Sequence, residues 1–174
     1  MFFKDNHSRL VPPKLRVTST HNEVCVLGDF DFLIGNWTVA NRRLKQRLAG
    51  SDEWEEFEAT SVAWSLLDGS ANIDQFTFPD GTSALTLRLF EPGTKQWSLN
   101  WATSTEGSLT PPVVGAFSDG TGLFYGDDSH DGTPVRVRFI WSEITATSAR
   151  WEQAFSADHE QTWEINWIME LKRS

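Results

Sequence analysis

The chain has 174 residues, enough for one ordinary domain with a full hydrophobic core and too few for a second independent one. Its 15 Lys plus Arg against 24 Asp plus Glu give a formal net charge of −9, which repels phosphate backbones and anionic membrane surfaces, so neither nucleic acid nor membrane is an expected partner. Cys25 is the single cysteine, which excludes an intrachain disulfide, a Cys-based zinc cluster and a paired-thiol redox motif, and makes the reducing cytoplasm the expected address.

Residues 1–28 read as an N-terminal tail, with Pro12-Pro13 as a stiff spacer. The opening MFFKDNHSRLVPPKLRV has neither an apolar central run nor a small-residue cleavage site, so no secretory signal is expected. No later run reaches the roughly 18 to 20 apolar residues that a membrane helix needs. The stretch DFDFLIG, from Asp29, reads as a short helical plug, and Gly35-x-Trp37 follows it at the entry to a strand.

From there to the end, residues 29–174 read as a single all-β domain of short alternating runs broken by turn signals. Strands are expected at 36–48, 54–67, 71–78, 83–91, 96–103, 113–118, 121–129, 133–144, 148–156 and 162–171. Asp68-Gly69, Asp80-Gly81, Asp119-Gly120 and Asp131-Gly132 mark tight hairpin tips, and SADHEQ at 156–161 marks a longer one. About ten strands in up-and-down order, with no helix to cover a flat sheet, protect their edges best by closing into an antiparallel barrel.

The blocks FDFLIGNWTV, LLDGSANIDQF, LRLFEPGTKQWSLNWA, PVVGAFSDGTGLFYGDD and VRVRFIWSEITATSARWEQAFSADHEQTWEINWIM resemble a bacterial calycin-like (lipocalin-like) family of mostly unassigned function, over residues 29–171. The last block is the most specific part of the likeness. Gly35-x-Trp37 is similar to the lipocalin signature, whose tryptophan closes one barrel end. For function the resemblance implies a barrel with a small-molecule cavity.

Nine Trp and 12 Phe beside one Tyr exceed ordinary core filling, and the indoles admit two readings, core packing or ligand lining. Alternation then nominates side chains that share a face with large apolar neighbours. Opposing Ser156 to Thr162 pairs Phe155 with Trp163, Gln153 with Ile165 and Trp151 with Trp167 as an inner ladder, leaving Glu152 and Asn166 outside. Asn41 and Arg43 share a face with Trp37, Asn72 and Asp74 with Phe76, Tyr125 with Leu123, and Trp101 with Leu99. The expected ligand-binding set is therefore Asn41, Arg43, Asn72, Asp74, Trp101, Tyr125, Trp151, Gln153, Trp163 and Trp167, with Arg43 and Asp74 as a buried ion pair.

Gly126 to Gly132, GDDSHDG, gathers acids and a histidine without the ordered oxygen-ligand spacing of a calcium loop, so it reads as a solvated hairpin and no metal is expected. His7, His21, His130 and His159 fall in the tail or in loop tips, leaving no interior haem ligand, and no cofactor is expected. No serine or cysteine stands in a nucleophile context. Two functions stand foremost, ahead of a purely structural role. One is a binding module that holds a small, largely apolar or aromatic molecule in a Trp-lined cavity. The other is a non-redox enzyme of isomerase or cyclase type, in which Asp74, Arg43 or Tyr125 would polarise the substrate. The surplus of aromatic residues also makes a homodimer an expectation.

Overall fold

The computed structural model describes residues 28–174. Residues 1–27 of the expected tail, with Pro12-Pro13 and Cys25, lie outside them. The ten strands are β1 (Gly35–Leu44), β2 (Trp54–Leu66), β3 (Ala71–Thr77), β4 (Ser83–Glu91), β5 (Gln96–Thr103), β6 (Val113–Ser118), β7 (Thr121–His130), β8 (Thr133–Ser142), β9 (Ser148–Ser156) and β10 (Glu164–Arg173). Each pairs antiparallel with its neighbours in sequence, and β1 also pairs with β10, so the sheet closes into an up-and-down barrel as the alternation predicts. β1 stops at Leu44 instead of running to 48, because Leu48 takes a φ of +57° and its N–H leaves the ladder for the Glu164 carboxylate. Asp119-Gly120 and Asp131-Gly132 each turn with two consecutive positive φ angles, the conformation that suits a two-residue hairpin.

Closure settles which face of each strand is buried. Trp37, Val39 and Asn41 of β1 point inward, as do Asn72, Asp74 and Phe76 of β3. β4 is less transparent. Its leucines, Leu85, Leu87 and Leu89, stand on the outer face, whereas Ala84, Thr86 and Arg88 point in. In the register Trp64, Ile73 and Leu87 lie in one row, with Leu66, Ala71 and Leu89 in the next. These rows give the outside of β2–β4 an apolar stripe without a charged member.

β9 and β10 depart from the expected register. Glu164 pairs with Phe155 and Ile165 with Ala154, after which a bulge at Asn166 shifts the ladder so that Trp167 faces Gln153 and Met169 faces Trp151. The expected pairs of Trp151 with Trp167 and Phe155 with Trp163 are thus corrected by one residue on the tip side of the bulge and by two beyond it. Asn166, expected outside, is fully buried and accepts a hydrogen bond from Gln153 Nε2 at 2.8 Å.

Candidate functional site

One end of the barrel is shut by the segment before β1. Residues Asp31–Leu33 form a turn of 3-10 helix, and Phe30 drives into the barrel among Trp97, Phe117 and Phe124, with ring centroids 4.9–5.8 Å away. Trp37 donates its indole N–H to the Leu33 carbonyl at 2.7 Å, tying the plug to the first strand. Arg173, near the end of β10, lays its guanidinium 4.4 Å from the Trp37 ring centre and donates to the carbonyls of Ile34 and Phe32. Gly35 is needed at this crossing: its φ is +119°, and a Cβ there would lie 2.7 Å from Arg173 Nη1.

Ten strands enclose more space than the eight of a small filled barrel, and the plug occupies only one end of it. The remainder is a cavity of about 700 Å³, within the range of small-molecule sites. Trp101, Trp151 and Trp167 stand in its wall, with Phe139 and Phe155. Trp101 and Trp151 each meet Trp167 at 86°, with centroids 6.0 and 5.7 Å apart. The nine tryptophans thus divide: Trp37 and Trp97 at the closed end, Trp101, Trp151 and Trp167 around the cavity, Trp141 between the plug and the cavity, and Trp54, Trp64 and Trp163 outward.

The polar interior differs from the expected pairing. Arg43 does line the cavity, but its Nε bonds Glu55 at 2.7 Å across the β1–β2 register. Asp74 pairs instead with Arg88, at 2.6 Å between side chains that are each 3 % exposed. Asn72 accepts from Arg88 Nη1 at 3.0 Å, and the second Asp74 oxygen accepts from the Thr86 backbone N–H at 2.9 Å. Asn41 accepts from Trp167 Nε1 at 2.9 Å and fixes that indole in the wall. Asn41, Asn72 and Asp74 are therefore buried supports standing behind the cavity surface, whereas Arg43, Trp101, Trp151, Gln153 and Trp167 reach it.

Two expected residues fall elsewhere. Tyr125 alternates with the buried Phe124 and so points outward, where its ring meets Trp163 at 6.1 Å with Arg136 and Arg138 over the two rings. The exposed Leu123 shares that outer face, and matching Tyr125 to it indicates the outside. Arg88 is the residue that alternation missed. The hairpin centred on Asp80-Gly81 could have found it, since its register sets Asn72 against Arg88.

The open end is rimmed by the 78–82 turn, the 103–110 loop and the end of β7. Exposed Asp80, Glu106 and Asp128 make this rim acidic. Arg47 also borders it, with its guanidinium 5.7 Å from the Phe155 ring centre and no ion pair among the described residues. Burial, followed by the neighbouring Arg43 charge, lowers its pKa from the ordinary arginine value. Among the described residues no group of three His, Cys, Asp or Glu comes together as metal ligands, and no helix is long and apolar enough to cross a membrane.

No known family matches the chain by sequence, and no curated protein does. Its fold is nonetheless shared. The S-type phycobiliprotein lyase CPES from Guillardia theta superposes with a TM-score of 0.54 at 9% sequence identity, covering 83% of this chain and 90% of that one. The chain is thus an all-β, closed up-and-down barrel with a lipocalin-like fold.

Proposed function

We propose that this protein binds a small, largely apolar or aromatic molecule in the Trp-lined cavity. The observation that carries the reading is an aromatic-walled space of about 700 Å³, plugged at one end and open at the other. Evolution of a filled core would have closed that space, since an interior void forfeits dispersion contacts. An enzyme of isomerase or cyclase type in the same cavity is the second reading, favoured by the lyase name of a protein with the same fold. Binding comes first because the buried acid, Asp74, stands behind the cavity wall, and Arg88, which lines the cavity, is already bonded to it and to Asn72.

Native mass spectrometry of the purified protein, set against the denatured sample, tests the proposal. A small molecule present only in the native spectrum is the expected result, with affinity falling at least tenfold in Trp101→Ala and Trp167→Ala, which each remove an aromatic wall. A bare mass, together with tryptophan fluorescence unmoved by a panel of aromatic compounds, would sink it. Turnover of a bound compound, followed by chromatography, would decide for the enzyme.

A further inference from the structure

The hydrogen-bonding state of the indoles says more about the occupant, given the binding function proposed above. Trp37, Trp97 and Trp167 each donate to a protein acceptor, at 2.7, 3.1 and 2.9 Å. Trp141 borders the cavity beside the plug and has no acceptor, but its N–H is sealed from solvent. Trp101 and Trp151 are different: both stand in the cavity wall, neither indole N–H has an acceptor among the described residues, and neither is sealed as Trp141 is. Arg43 spends only its Nε on Glu55 and keeps its two terminal nitrogens free, whereas Gln153 spends its amide N–H on Asn166 and keeps only its carbonyl oxygen. Against these donors stand the Gln153 carbonyl and the second Glu55 oxygen, so donors outnumber acceptors around the three tryptophans.

Charge narrows the choice. Arg43 is neutralised by Glu55 and Arg88 by Asp74, so neither calls for an anionic ligand, and Arg47 at the rim, though without a direct ion pair, has the carboxylates of Glu55, Glu164 and Asp131 around it. The acidic rim of Asp80, Glu106 and Asp128 disfavours a carboxylate on its way in. A plain hydrocarbon would strip water from the free indole donors and give nothing back. The geometry points to a neutral, planar aromatic carbonyl compound, an aryl ketone or quinone, whose oxygens accept from Trp101 and Trp151 while its rings lie against the indole walls.

The test uses two matched pairs, 9-fluorenone with fluorene and anthraquinone with anthracene, titrated into the full-length protein by calorimetry. The expected result is about a tenfold preference for each carbonyl compound, the worth of one well-made hydrogen bond. In Trp101→Phe and Trp151→Phe, which keep a ring and lose the donor, the preference should shrink while hydrocarbon affinity holds; circular dichroism checks that both variants fold. Equal affinity within each pair, or a preference unchanged in both variants, overturns the carbonyl inference and leaves the binding function standing. Failure of all four compounds to bind overturns the carbonyl inference, while the binding function stands or falls on the native mass spectrum.

Discussion

The pair Arg88–Asp74 concentrates the electrostatics of the barrel interior on two side chains. Removing charges from water is expensive, and here the cost is offset by a 2.6 Å contact, by Asn72 on one side of the guanidinium and by the Thr86 N–H on the other side of the carboxylate. Arg88 also lies over the Phe30 ring at 5.1 Å, which couples the ion pair to the plug. Asp74→Ala or Arg88→Ala alone leaves an uncompensated buried charge and should lower stability by about 3–5 kcal/mol. The joint replacement Asp74→Leu with Arg88→Met should recover most of that loss, as read from urea denaturation midpoints. Single variants as stable as wild type would show that the pair is dispensable. At this scale the sequence was only half legible. The inward direction of Asn72 and Asp74 followed from Phe76, but their partner did not, because three leucines on β4 look like a buried face and Arg88 stands among them. Tyr125 was misread for the same reason, since an exposed leucine beside it mimics a core position.

The hairpin of β9 and β10 is governed by its tip. Asp158 accepts from the Ser156 hydroxyl at 2.8 Å and from the Thr162 N–H and hydroxyl at 2.9 and 2.6 Å. The Thr162 bonds, helped by Ser156, hold the Asp158 carboxyl down at about 2, from an ordinary 3.8. Since the folded value lies below the unfolded one, the contribution is complete above pH 3.8 and drains away as pH falls toward about 2. Residues 156–162 should therefore loosen in that window, seen as faster amide exchange, and Asp158→Asn should abolish the pH dependence. A tip indifferent to pH between 4 and 2 would contradict this. The strands themselves were readable from alternation and turn residues, and their order from hairpin succession. The bulge at Asn166 was not, because one inserted residue leaves composition unchanged while reversing every face before it.

Taken as a whole molecule, the barrel is a ring of ten seams of unequal length. β1–β2 is paired over ten positions, from Gly35↔Ala63 to Leu44↔Trp54, whereas β5–β6 has three, from Trp97↔Gly115 to Leu99↔Val113. A single backbone bond, Thr110 N–H to the Trp101 carbonyl at 2.7 Å, continues the short seam toward the mouth. Exchange of deuterium into β5 and β6 should outpace that into β1 and β2, because local opening needs fewer bonds broken there. Uniform protection around the ring would refute the ranking. Closure itself could be anticipated from ten strands without helices to cover them. Which junction is short could not, since it depends on where the 104–112 loop leaves the sheet.

The short seam runs beside Thr103, Thr110 and Val113, all of which border the cavity. Parting β5 from β6 would widen the doorway sideways without disturbing the plug, so a bulky guest need not pass end-on through the rim. Its dwell time inside would then be a clock set by the breathing of one weak junction, separate from the grip of the tryptophans that decides how tightly it is held.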